Sequence, residues 1–207
     1  MDMNRARQGE LFAASAALGA RLPGGAEWPL LRRQLEDWQR ALTRHQAPLF
    51  EATADQPLQG GLFETSPTDP ALARDPIDPL RLRAQPLSFW RWPDPPQRGA
   101  ALYFVLDNVP AESGQKPQPL LLYVGETGRA DRRWKAEHDC KQYLSAYSEA
   151  LARARMACRL NIRFWLDAPS GSRDRRALEQ ALIRRWLPPF NKETRQRWAT
   201  PFTAEPD

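Results

Sequence analysis

The chain has 207 residues, 42% hydrophobic and 27% charged. That suffices for one ordinary domain with an appendage or for two small domains, and it excludes wholesale disorder. No run approaches the ~18 apolar residues of a transmembrane helix, and two cysteines, Cys140 and Cys158, are too few to staple a fold of this size, as expected for a reducing compartment. The net charge of +5 lies wholly in the second half: residues 1–98 balance 12 Arg against 12 acidic groups, whereas residues 99–207 carry 18 Lys and Arg against 13 Asp and Glu.

At the N-terminus, Arg5 and Arg7 precede an Ala-rich stretch, Leu11 to Ala20, that loosely imitates a secretory leader. Glu10 at the junction, Ala and Ser in place of Leu, and the run into Arg21 favour a short helix or tail, so a cytoplasmic protein is expected. Residues 28–46 read as an amphipathic helix, because Leu31, Leu35, Trp38 and Leu42 recur at spacings of 4, 3 and 4. From Ala52 to Gly99 nine prolines break any period, which predicts a linker or a strap laid over another surface. Leu87 to Trp92 within it is too apolar to stand free in water and is expected to dock onto the domain that begins at Gly99.

Beyond Gly99 the pattern becomes compact. Ala100–Asp107 and Leu120–Gly125 are apolar runs of strand length, joined by a polar loop from Asn108 to Pro119. Helices are expected over Gly128–His138 and Cys140–Cys158, the second with Leu144, Tyr147, Leu151 and Ala154 on one face. Leu160–Leu166 is a third strand, and Asp174–Trp186 a helix stopped by Pro188 and Pro189. The expected fold is α+β, a three-stranded sheet flanked by helices, with an N-terminal helical and Pro-rich extension. Its divisions are 1–51 (helical segment), 52–98 (Pro-rich strap), 99–194 (catalytic-type domain) and 195–207 (tail).

One segment concentrates candidate chemistry. Ala101-Leu102-Tyr103 lies on one strand and Tyr123-Val124-Gly125 on the next; Arg133 stands ten residues after Tyr123, Glu179 lies on the later helix, and Asn191 comes twelve residues after Glu179. In this order and spacing they resemble the GIY-YIG nuclease family over residues 99–194. The resemblance implies a small sheet-and-helix nuclease fold and a divalent-metal-dependent DNA endonuclease that hydrolyses phosphodiester bonds. Glu179 would then bind a single Mg²⁺ or Mn²⁺, and Tyr103, Tyr123, Arg133 and Asn191 would be the remaining catalytic-site residues. His138, five residues after Arg133, would assist proton transfer or touch phosphate. A role in DNA repair is among those the family carries.

The residue types suit the chemistry. A carboxylate can hold a Mg²⁺ that otherwise keeps its waters and takes a phosphate oxygen. An arginine places two donors on a phosphate as charge accumulates. A phenol is a weak base at its ordinary pKa of about 10, but a cationic neighbourhood brings it toward use. Arg129, Arg132 and Lys135 add positive charge at the helix start, where DNA phosphates would meet it, and Gly125 would let the backbone turn tightly beside the phosphate. Alone, each residue has a plainer reading: a tyrosine in a core strand, an ordinary helix carboxylate, one arginine among 26.

Two departures stand out. Ala101 occupies the first glycine of the family signature, and Glu126 comes directly after Gly125 where excision-repair relatives carry Lys. Glu126 could be a second metal ligand, hold Lys135 or an arginine, or repel DNA, and it supports the alternative of a catalytically inactive DNA-binding or adaptor protein on the same fold. A zinc site from His138, Cys140 and Cys158 lacks a fourth ligand at suitable spacing. Finally, Gln8-Gly-Glu-Leu11-Phe12 and Gln59-Gly-Gly-Leu62-Phe63 both fit Gln-x-x-Leu-Phe, which resembles the short peptide by which bacterial replication and repair proteins bind the sliding clamp. The plainer reading is that both Leu-Phe pairs anchor these segments to the core.

Overall fold

The computed structural model describes residues 29–54, 77–87, 99–110, 116–130 and 139–201. Their long helices are α1 (Pro29–Ala54), α2 (Asp139–Arg153) and α3 (Ser172–Trp186). Their strands are β1 (Gln85–Pro86), β2 (Ala101–Val109), β3 (Gln118–Thr127) and β4 (Asn161–Trp165), which form one antiparallel sheet in the order β1-β4-β2-β3.

β2 is apolar from Ala101 to Leu106 because it lies in the sheet interior with a core on each face. Ala101, Tyr103 and Val105 face Leu35, Trp38 and Leu42 of α1 and Leu144, Tyr147 and Leu151 of α2. Leu102, Phe104 and Leu106 face Leu178, Leu182, Ile183 and Trp186 of α3. Such a strand has no polar side to alternate with, so its sequence is a continuous hydrophobic run. The expected α+β class holds, but the described sheet has four strands rather than three. The fourth, β1, comes from the Pro-rich strap: two residues pair Gln85 with Ile162 and Pro86 with Asn161, and an edge tolerates a proline that cannot donate. Arg163 holds the preceding turn in place, its guanidinium donating to the carbonyls of Pro79 (3.2 Å), Leu80 (2.7 Å) and Leu82 (3.1 Å). Leu87 packs against the core as expected; residues 88–92 lie outside the described residues.

The largest other boundary changes are three. α1 continues through Pro48 to Ala54, although Pro48 cannot donate to the carbonyl of Arg44; the extension carries Phe50 to Trp186, ring centroids 4.5 Å apart. α2 stops at Arg153, not Cys158, because Arg155 adopts the left-handed region (φ 52°) and the amide of Met156 closes back on the carbonyl of Leu151 at 2.8 Å. β2 and β3 reach Val109 and Gln118, so the loop between them is shorter than expected.

α1 runs beside β3, the outer strand, and its polar residues are placed accordingly. Gln46 is fully buried, and its amide mimics a neighbouring strand: Oε1 accepts from the amide of Leu121 at 2.8 Å while Nε2 donates to the Leu121 carbonyl at 3.0 Å. One helical heptad earlier, Gln39 donates to the hydroxyl of Tyr147 (2.7 Å), which donates to Asp107 (2.7 Å). Asp107 also accepts from the amides of Asn108 and Arg159. Burial holds its carboxyl above the usual range despite these bonds, and pushes the Tyr147 phenol well up.

Replacing Gln46 by Ala leaves both backbone groups of Leu121 buried without their partner. Stability is expected to fall by about 2–4 kcal/mol, read as a lower urea midpoint at unchanged m value.

Candidate functional site

The register of β2 on β3 brings the two tyrosines together. Tyr103 stands opposite Gly125 on one side and Phe164 on the other. Its ring lies 5.8 Å from that of Tyr123, 30° apart, and 6.0 Å from that of Phe164. Tyr103 is fully buried, whereas Tyr123 is half-buried. Both side chains lie on the α1–α2 side of the sheet.

Gly125 is required for a reason the sequence did not suggest. It lies within β3 rather than in a turn, and the ring of Tyr103 covers its Cα. A β-carbon there would fall well inside contact distance of Cζ and Oη of Tyr103, and 2.7 Å from Cε1 of Tyr123. The glycine makes room for the tyrosine pair, an aromatic ring filling the place of the missing side chain.

The outer edge of the same strand collects the other candidates. Asn191 is only 4% exposed; its Oδ1 accepts from the amide of Val124 at 3.0 Å and its Nδ2 donates to the Val124 carbonyl at 2.8 Å. This amide is engaged as a backbone surrogate, pairing with β3 as a neighbouring strand would. It is delivered there by the end of α3, where Leu187 caps the helix in the left-handed region (φ 48°), turning Pro188 and Pro189 back along β3. The amide of Phe190 then donates to the carbonyl of Leu122 at 3.1 Å. Glu179 accepts from the amide of Glu126 at 3.0 Å. Three residues of extended strand separate Tyr123 from Glu126, about 10 Å.

Glu126 itself is bound by arginine. Its side chain lies on the α3 side of the sheet, where Arg175 donates to it from Nε at 2.6 Å and Arg176 approaches at 3.5 Å. The Arg175 side chain is only 5% exposed, and its Nη1 also donates to the carbonyls of Pro169 and Ser170, each at 2.9 Å. Of the roles open to Glu126, the fold shows it holding an arginine. Arg175 and Glu179, one helical turn apart, thus clasp the same residue of β3, one through its carboxylate and one through its amide. Losing one partner of so buried a pair typically costs about 3–5 kcal/mol. The sequence signal for Arg175 was its place four residues before Glu179, on the same helix face.

Arg129 is exposed, its amide bonded to the hydroxyl of Thr127 at 3.0 Å. Arg132, Arg133, Lys135 and His138 lie outside the described residues, as do Gln8, Leu11, Phe12, Gln59, Leu62 and Phe63. Among the described residues no three His, Cys, Asp or Glu side chains gather as a metal cage. A divalent cation bound through one carboxylate, with water and phosphate oxygens completing its shell, does not need one. At the other end of the sheet, burial and the nearby Asp107 charge push the Cys158 thiol up to about 11, which keeps it protonated and unreactive at neutral pH. No helix of the described residues is long and apolar enough to cross a membrane. Scans against family models, curated proteins and solved structures find no match to this chain.

Gly125→Ala forces its β-carbon into the Tyr103 ring and is expected to cost about 1–3 kcal/mol by overpacking. Combining it with Tyr103→Leu should recover part of that loss, because the colliding ring is gone; a double-mutant cycle of thermal melts measures the coupling.

Proposed function

We propose that the chain is a divalent-metal-dependent DNA endonuclease of GIY-YIG type. The observation that carries this reading is the convergence on one stretch of β3, residues 123–126, of Tyr103 from β2, Glu179 from α3 and Asn191 from the loop after α3. Glu179 and Asn191 are separated by 53 and 67 positions from their β3 partners, so their meeting is a property of the fold and not of local sequence.

The division of labour rests on exposure. Tyr123, which reaches the surface, orients the attacking water and, in its phenolate form, accepts its proton. Tyr103, fully buried, positions Tyr123 and does not touch substrate. Asn191 and the Arg175–Glu126 pair hold the strand and the helix in register, so that the Glu179 carboxylate stays at the strand edge. Arg133 clamps the phosphate with two donors, and Arg129 meets the neighbouring backbone. The donor set at Glu179 suits Mg²⁺ or Mn²⁺, which supplies Lewis acidity to a phosphate oxygen when bound.

Incubation with supercoiled and branched DNA in Mg²⁺ or Mn²⁺ tests the proposal through nicking. Glu179→Gln is expected to abolish cleavage and to leave DNA affinity within a few fold, since it removes the metal carboxylate and not the basic surface; wild-type cleavage by this variant overturns the metal assignment. Arg133→Ala should lose cleavage at least as strongly as affinity, because its contribution grows toward the transition state. Salt-sensitive DNA binding without any nicking by the wild-type chain would establish the binding-only alternative instead.

A further inference from the structure

We infer that Arg195, aimed by the hydroxyl of Tyr143, binds a phosphate of the DNA strand that enters the site beside Tyr123; the inference deepens the nuclease reading and rests on it. Nη1 of Arg195 donates to the Tyr143 hydroxyl at 3.0 Å, and its guanidinium carbon lies 5.6 Å from the centre of that ring. The Tyr143 ring stacks on Phe190, centroids 5.6 Å apart, and the amide of Phe190 is bonded to the carbonyl of Leu122, the residue before Tyr123. Tyr143, Phe190 and Tyr123 all pack on the α1–α2 side of the sheet. Arg195 therefore stands on the face that carries Tyr123, one residue past the stretch 99–194 that resembles the nuclease family.

Two observations separate Arg195 from an ordinary surface or tethering arginine. The first is an unspent charge at a half-buried position. Five of the described arginines are buried or half-buried: Arg32, Arg163, Arg175, Arg185 and Arg195. Arg32 and Arg175 are paired with Glu36 and Glu126, and Arg163 is spent on three carbonyls. The Arg185 side chain makes no hydrogen bond among the described residues, so nothing orients it. Arg195 is aimed, but by a neutral partner, and it has no carboxylate among the described residues. A guanidinium carries five N–H donors; a phenol oxygen takes one and neutralises none of the charge. The nearest carboxylate along the chain, Glu193, accepts from Gln180 at 2.8 Å. The second observation is that the turn at Arg195 is held without its side chain. The amide of Arg195 donates to the carbonyl of Asn191 (2.9 Å), the hydroxyl of Thr194 to that of Pro188, and the indole of Trp198 to that of Leu187 (2.7 Å). Partial burial of a cation is costly unless it is paired. An anion from outside supplies the pair, and a planar fork with free donors fits phosphate oxygens.

Fluorescence anisotropy of the full chain with a duplex oligonucleotide, in EDTA to prevent cleavage, tests this over about 50 to 200 mM KCl. One lost phosphate contact lowers the magnitude of the slope of log K against log salt by about 0.9, the change expected of both R195A and R195Q. R195K keeps the charge and should keep the slope. Y143F leaves the ring on Phe190 but removes the oxygen that aims the guanidinium. It should weaken binding about two- to tenfold in the wild-type background and not at all in R195Q. R185A removes a half-buried arginine that nothing orients and should leave the slope unchanged. A slope unaltered in R195A and R195Q, whatever their urea midpoints, makes Arg195 a tether and overturns the inference, as does an equal fall in R185A or wild-type affinity in Y143F. Absence of nicking with an Arg195-dependent slope removes the endonuclease and leaves this contact standing; nicking with a slope indifferent to Arg195 does the reverse.

Discussion

The outer edge of β3 is the constraint around which the molecule is arranged. An edge strand offers a row of amides and carbonyls that water or another chain would otherwise claim, and unprotected edges invite pairing with other molecules. Here that row is answered from within by groups that are not strands. The amide of Gln46 serves Leu121, the backbone of Phe190 serves Leu122, the amide of Asn191 serves Val124, and the carboxylate of Glu179 serves Glu126. They come from α1, α3 and the loop after α3, so closing the edge simultaneously docks those elements.

The same contacts explain why candidate chemistry and structural support share a location. The Glu179 carboxylate is held at the strand edge by the amide of Glu126. Arg175, reaching Glu126 from one turn earlier, prevents α3 from rotating relative to β3. The tyrosine pair is treated likewise: Gly125 gives up its side chain so that Tyr103 can fill the space and brace Tyr123. The buried ring of Tyr103 braces the strand, and half-buried Tyr123 reaches the surface.

Away from this edge the sheet is stabilised by a second polar arrangement, Gln39–Tyr147–Asp107. It is closed by the backbone amides of Asn108 and Arg159, so its role is to orient α1 and α2 over the sheet. The two glutamines of α1, one heptad apart, therefore divide the work: Gln39 joins helix to helix, and Gln46 joins helix to strand. Polar residues within an apolar stripe are costly unless satisfied, and here both are.

Periodicity by itself determined much of this protein. The continuous apolar runs at 101–106 and 120–124 have the length and composition of strands buried on both faces, and the spacing of Leu35, Trp38 and Leu42 marked the inner face of α1. The order of Tyr103, Tyr123, Glu179 and Asn191 was legible too, because spacing along a chain is a one-dimensional property. The tertiary structure alone decided what those residues touch. That Gln46 would pair with Leu121 across 75 residues, that Glu126 would take Arg175 across 49, and that two residues of a Pro-rich strap would become β1 depend on which backbone groups are left open once the layers pack. Local pattern reports which side of an element is apolar; the choice of polar partner is made by proximity in the folded state, where buried donors and acceptors pair with the groups within reach.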